Sequence, residues 1–343
     1  MSMQIGVGLD ANLGLSFEQQ RELAQEAARL GYTSAWTPAG LAHDPFQLCA
    51  QWSMASREVV TGGLTTGISV LPVAMWTAPI LAALAGTVGD LSGGRFILGI
   101  GAGSSFYEAN RNSLGLPAYP PIALMRDYLI TIRALLAGEQ VDYDGVAVKL
   151  HGVKLGFRPP HVPVYLGALG PQMLRLAGAH ADGAALNWCS PEQVAWSRKQ
   201  IEAGASKSGR KPADVQVVEY IRICVDDDED RARRALARAV MGYALARPGT
   251  PKDVGYRAHF ARMGFDEALN ELEAKQERGA SAADIAEQFP RELLQRVGYF
   301  GPAAGAASAF KRLAGGLDLA IVRVVAARPG VESVLAVVRA CMP

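Results

Sequence analysis

Asp10, His43 and Glu108 are the residues of this chain best suited to move a proton. Each stands just beyond a short apolar run, in "IGVGLDANLG", "LAHDPFQ" and "SSFYEANRN". A carboxylate serves as a general acid at neutral pH only when burial lifts its pKa, whereas an imidazole titrates there already. The competing assignments are a solvated or helix-capping carboxylate for Asp10 and Glu108, and a structural or exposed ring for His43. Trp36, Trp76 and Trp188 follow other apolar runs and are expected either to wall an apolar pocket or to fill the core. Cys49, Cys189, Cys224 and Cys341 form no C-x-x-C pair and have no histidine at ligand spacing. Neither a metal site nor a disulfide framework is expected.

Glycines supply a second kind of chemistry, close approach of a ligand to the backbone. In "DLSGGRFILGIGAG" (90–103), Gly99, Gly101 and Gly103 give G-x-G-x-G, with Ser104 where a dinucleotide fingerprint needs its third glycine. No clear helix opens there and no P-loop lysine follows, so that fingerprint is not met. Two readings remain open. Gly99 and Gly101 relieve crowding inside a barrel, or Gly101, Gly103 and Ser104 let a flat cofactor approach at the C-terminal end of a strand. "GALGPQM" (167–173) ends a strand in the small residues Gly167 and Ala168, and Pro171 fits the first turn of the next helix. The free N–H groups of such a turn attract anions, although an ordinary strand-to-helix turn has the same composition.

These residues are positioned by a repeating unit. Strand-like runs at 3–10, 34–38, 64–72 and 95–101 alternate with helical patterns at 16–32, 45–56 and 77–91, with Ser16 as a helix N-cap and Gly31 just past that helix. The strands are apolar throughout, as parallel strands covered on both faces require. After a helix at 122–138, "VDYDGVAVKLHGVKLGF" (141–157) alternates around Asp144-Gly145 and predicts a β-hairpin. Strands are then expected near 162–169, 182–188, 215–225 and 317–327, whereas 227–300 reads as mostly helical, without a clear strand. Eight βα-like units predict a (β/α)8 TIM barrel, one domain with insertions at 104–121, 139–161 and 243–300. With 343 residues and a formal net charge of +1, the chain has no field to hold nucleic acid. The N-terminus lacks a signal-peptide pattern and no apolar run reaches the ~20 residues of a membrane span, so a cytoplasmic protein without a membrane partner is expected.

The fourth-strand segment "DLSGGRFILGIGAG" closely resembles the luciferase-like family of flavin and deazaflavin oxidoreductases. "PVYLGALGPQMLRLAGAHADGAALN" (163–187) resembles the branch that includes methylenetetrahydromethanopterin reductase and uses coenzyme F420, and "TTGISVLPV" gives a third match. The likeness runs from about residue 3 to 225 and loosens over 227–300. It implies an F420-dependent oxidoreductase transferring a hydride between the deazaflavin and a small organic substrate. An FMN-dependent monooxygenase is the alternative, and a flavin- or F420-binding protein without turnover is the alternative of another class. It also implies a cofactor phosphate held at Gly170, Pro171, Gln172 and Met173, further cofactor contacts from Gly101, Gly103, Ser104, Gly167, Ala168 and Asn187, and a homodimer. The family carries a non-proline cis peptide in a bulge, by position Ser69-Val70, that backs one face of the ring. Related glucose-6-phosphate dehydrogenases carry an Asp-His pair at the end of the second strand, where this chain has "WTPAG" (36–40). That departure argues against the same substrate.

Overall fold

The structure, a computed structural model, describes residues 3–10, 13–247 and 249–343, without the side chains of Ser104 and Ser105. Its strands are β1 (Gln4–Gly8), β2 (Ser34–Thr37), β3 (Thr65–Pro72), β4 (Phe96–Gly101), β5 (Val141–Asp144), β6 (Lys149–Val153), β7 (Val164–Gly167), β8 (Gly183–Asn187), β9 (Gln216–Val225), β10 (Gly298–Gly301) and β11 (Leu319–Val324). All but β5, β6 and β10 pair in parallel in the order β1-β2-β3-β4-β7-β8-β9-β11, and β11 returns to β1 to close the ring. This is the (β/α)8 barrel expected from the alternation.

Local signals explain the helices. Ser16 Oγ accepts from the Gln19 N–H at 3.2 Å, and the Gln19 side chain accepts from the Ser16 N–H at 3.0 Å, a reciprocal cap that opens the helix Phe17–Arg29. Gly31, at φ +92°, turns the chain out of that helix. Asp44 caps Pro45–Arg57 by a single bond, its side chain accepting from the Gln47 N–H at 2.9 Å. Leu23, Ala24 and Ala27 of the first helix and Leu48, Cys49 and Trp52 of the second are buried, covering the outer face of the barrel.

Two segments lie outside the ring. β5 and β6 form the expected antiparallel hairpin, with the Gly145 N–H donating to Val148 O at 2.9 Å across its turn. β10 corrects the helical reading of 227–300: Gly298–Gly301 pairs in parallel with Arg222–Val225, where β9 runs on past the end of its β8 pairing at Tyr220. The helices between β9 and β10 surround a second apolar cluster that includes Leu236, Phe260, Leu269 and Leu293.

The barrel interior is packed. Trp36, Tyr165, Val218, Tyr220, Leu319 and Ile321 fill it, and Trp36 stacks on Tyr165 at a centroid distance of 6.4 Å. A Cβ at Gly67 would lie 2.3 Å from the Trp36 ring, so that glycine is the space the indole occupies. Trp36 is therefore core, not pocket wall. Trp76, part-exposed, packs edge-on against Phe46, and Trp188 stacks on Arg222 at the barrel mouth.

Candidate active site

Alternation along the strands decides which side chains meet at the C-terminal mouth. On β9, Val218 and Tyr220 face the interior, so Arg222 is the next inward residue towards the open end. On β11, Leu319 and Ile321 face inward and Arg323 follows; beyond β1 the same face carries Asp10. Arg323 Nη2 donates to Asp10 Oδ2, and its guanidinium lies 4.9 Å from the Tyr220 ring centroid. Burial opposes the charge on Arg323, but the carboxylate of Asp10 and the nearby phenols outweigh it and hold the guanidinium above its ordinary value.

Arg222 has a different environment. It is 2% exposed, and its Nη1 donates to Asn187 Oδ1 and, at 2.9 Å, to Tyr220 O. Trp188 stacks on it, with the guanidinium carbon 3.8 Å from the ring. Among the described residues Nη2 has no hydrogen-bond partner, and neither does the Tyr220 hydroxyl. Burial, reinforced by the Arg323 charge, lowers Arg222 to about 9.

Trp188 sits in the left-handed region at φ +60°, a conformation that a bulky residue keeps only under constraint. Its backbone is held on both sides. His259 Nε2 donates to Trp188 O at 2.8 Å, and the next N–H, of Cys189, donates to Glu219 Oε1 at 2.5 Å. Both holders are buried. Burial pushes Glu219 up to about 8 against the opposing Cys189 N–H, and pushes His259 down to about 4.

The opposite wall is a bulge in β3. The Ser69-Val70 peptide is cis, as the resemblance implied, and the β3–β4 register shifts between Ile68 and Leu71. The bulge delivers the Val70 side chain between β4 and β7. A Cβ at Gly101 would lie 2.7 Å from Val70 Cγ2, and one at Gly167 would lie 3.1 Å from Val70 Cγ1. These two glycines make room for a valine that faces the mouth. Gly99 answers to crowding of another kind, since its Cβ would stand 2.3 Å from Ile68 O. Gly103, at φ +54°, turns the chain over Pro72.

Beyond β7 the helix Pro171–His180 begins with Gly170 as N-cap and no side-chain cap. Its first-turn N–H groups are therefore open to an external acceptor. Pro171 and Gln172 are exposed, Met173 packs partly on the core, and Arg262 Nη2 donates to Leu169 O at 3.4 Å beside this turn. Asn187 Nδ2 donates to Tyr256 Oη at 2.6 Å, and Tyr256 meets Tyr243 edge-on at 4.8 Å, closing the mouth from the segment after β9.

A family model described as luciferase-like monooxygenase matches residues 1–318. The chain belongs to the luciferase-like family. It is 34% identical to a 5,10-methylenetetrahydromethanopterin reductase of Archaeoglobus fulgidus over 258 residues, 71% of this chain and 74% of that protein. It is 31% identical to an F420-dependent glucose-6-phosphate dehydrogenase of Mycolicibacterium fortuitum, over 62% of this chain and 66% of that protein. The structure of the coenzyme F420-dependent tetrahydromethanopterin reductase of Methanopyrus kandleri superposes with a TM-score of 0.80 at 21% identity, covering 100% of this chain and 99% of the other.

Of the three proton-transfer candidates, this family member brings only Asp10 into the mouth. His43 is exposed on the rim with its ring 4.5 Å from that of Phe17, and Glu108 is exposed in the first turn of the short helix Glu108–Leu114. Val70, Gly101, Gly167 and Asn187 converge on the mouth, whereas Gly170, Pro171, Gln172 and Met173 form the helix start beside it. Ala168 is buried beneath that start, its N–H donating to Ala185 O at 3.1 Å. The Ser104 side chain lies outside the described residues. Sequence reasoning passed over Tyr220, Arg222, Arg323, Glu219 and Tyr256. Once the structure shows Val218 facing inward, counting by twos along "VQVVEYIRICV" gives Tyr220 and Arg222.

Proposed function

We propose that this chain is a coenzyme F420-dependent oxidoreductase that transfers a hydride between the deazaflavin and a small organic substrate. The observation that carries the choice of cofactor is the 34% identity, over 258 residues, to a reductase whose reaction belongs to the F420 branch of the resemblance. The mouth fits a planar ring with a phosphorylated tail. It offers an aliphatic surface at Val70, buried polar atoms at Arg222 and Tyr220 without partners among the described residues, and a helix start at Pro171 with no side-chain cap.

The cofactor supplies the hydride chemistry when bound. The chain would contribute position and shielding. Val70 would back the ring, the first turn of Pro171–His180 would hold the phosphate through the N–H groups of Gln172 and Met173, and Asn187 would contribute a polar contact. Gly103 and Ser104 would stand at the approach, and Ala168 would support the phosphate-holding turn from beneath. Trp188, Tyr243 and Tyr256 exclude water from above. Thr37 and Pro38 stand at the end of β2, so the substrate differs from that of relatives with an Asp-His pair there. We place Asp10 as the mouth carboxylate that orients polar groups of the substrate, and His43 and Glu108 as rim groups that meet it on entry. The chain acts as one domain with its insertions, in the cytoplasm, as a homodimer. Four buried free cysteines and the exposed Met54 and Ile80 on neighbouring outer helices support these last two points.

Fluorescence titration of the purified protein with F420 and, separately, FMN tests the reading. Saturable F420 binding at micromolar concentration, with weaker FMN binding, is the expected result. Tight FMN binding alone selects the monooxygenase alternative, and binding of neither sinks both.

A further inference from the structure

The barrel mouth holds a cation that the protein itself leaves uncompensated. Among the described residues Arg222 forms no ion pair. The mouth carboxylate Asp10 is engaged by Arg323, and Glu219, three positions before Arg222, faces outward to the Cys189 N–H. The partners Arg222 does have are neutral: Asn187 Oδ1, Tyr220 O and the Trp188 ring. Its Nη2 is buried without a hydrogen-bond partner among the described residues. A buried charge kept in this state costs stability unless something arrives to pair it. The partly exposed Tyr256, bonded to Asn187 and packed edge-on against Tyr243, lies beside it.

We infer that Arg222 is the anchor for an anionic oxygen of a bound ligand, a delocalised anion such as a carboxylate or the amide-type anion of a reduced ring. The inference rests on the proposed function in taking the mouth as the ligand site. The planar guanidinium, stacked on Trp188 with one N–H edge free, suits a flat delocalised acceptor better than a point charge would. Two sources present this chemistry, the reduced cofactor and a carboxylate on the substrate.

The test uses full-length wild type, R222Q, R222K and R222M. Without ligand, R222M is expected to unfold at the same temperature as wild type or higher, because it removes an unpaired buried charge. A large drop in melting temperature would make Arg222 a structural cation and overturn the inference. In the first binding arm, a cofactor source predicts that R222Q weakens binding of reduced F420 about tenfold or more, the scale of a lost charge-assisted hydrogen bond, while oxidised F420 changes far less. R222K should recover only part of the loss. In the second arm, a substrate source predicts that benzoate quenches a component of tryptophan fluorescence in wild type that W188F lacks, and that R222Q abolishes this quenching. If R222Q matches wild type towards both redox forms and towards benzoate, the anchor does not exist. Should neither F420 nor FMN bind wild type, the proposed function fails on its own, and the benzoate arm still decides the role of Arg222.

Discussion

A carboxyl group placed where water cannot reach it reverses the usual effect of pH on the fold around it. Glu219 is raised to about 8 from an ordinary 4.5 by burial. The folded chain keeps its proton where the unfolded chain releases it, so this contribution is complete below 4.5 and is lost as pH rises through 8. His259, lowered to about 4 from 6.5, works the other way: its contribution is present above 6.5 and is lost as pH falls towards 4. Between 6.5 and 8 only Glu219 of this pair acts, and stability should fall by roughly 2 kcal/mol across that window. E219Q keeps an acceptor for the Cys189 N–H and removes the titration, so urea denaturation at both pH values should show a flatter dependence than wild type. An unchanged slope in E219Q would mean that the carboxyl is not held neutral. Because Glu219 and His259 together fix the Trp188 backbone, the same ionisation also bears on the ring that covers Arg222.

At the scale of elements, the site is a matter of which strand lends space to which. The bulge in β3 sends Val70 into room left by Gly101 of β4 and Gly167 of β7, so three strands share one packing decision. G101A should cost about 1–3 kcal/mol by overpacking and weaken cofactor binding, and V70A in the same chain should return most of the stability. G99A makes the contrast. Its Cβ would meet the Ile68 carbonyl, and no side-chain truncation relieves a backbone clash. A double-mutant cycle that finds no coupling between positions 70 and 101 would show that the valine does not occupy the glycine's space. The glycines themselves stood out in the sequence, and so did the barrel, because βα alternation and caps such as Ser16 act over a few residues. What filled the glycines' space was hidden, since Val70 is apolar in an apolar run. Arg222 and Glu219 were missed because β9 is buried on both faces, which removes the alternation that separates inward from outward residues. β10 escaped because its four residues form a strand only by pairing with the far end of β9.

At the scale of the whole molecule, the ring closes where its first strand meets its last. β1 pairs with β11 from Gln4↔Leu319 to Gly8↔Arg323, and the Asp10–Arg323 ion pair sits at the mouth end of that seam. No local pattern could have announced it, since 313 residues separate the partners. Both groups are almost sealed from water, so removing one strands the other, a mechanism that costs about 3–5 kcal/mol, whereas replacing both with apolar residues of similar size costs far less. D10N should therefore lower the denaturant midpoint sharply, and D10L/R323M should lie close to wild type. The same comparison separates stability from ligand recognition. If Asp10 serves only the seam, D10L/R323M retains F420 affinity; if it also orients a ligand, the double variant folds but binds less well. Equal destabilisation by D10N and D10L/R323M would show that each side chain makes its own contribution to the seam and that the pair is not its unit.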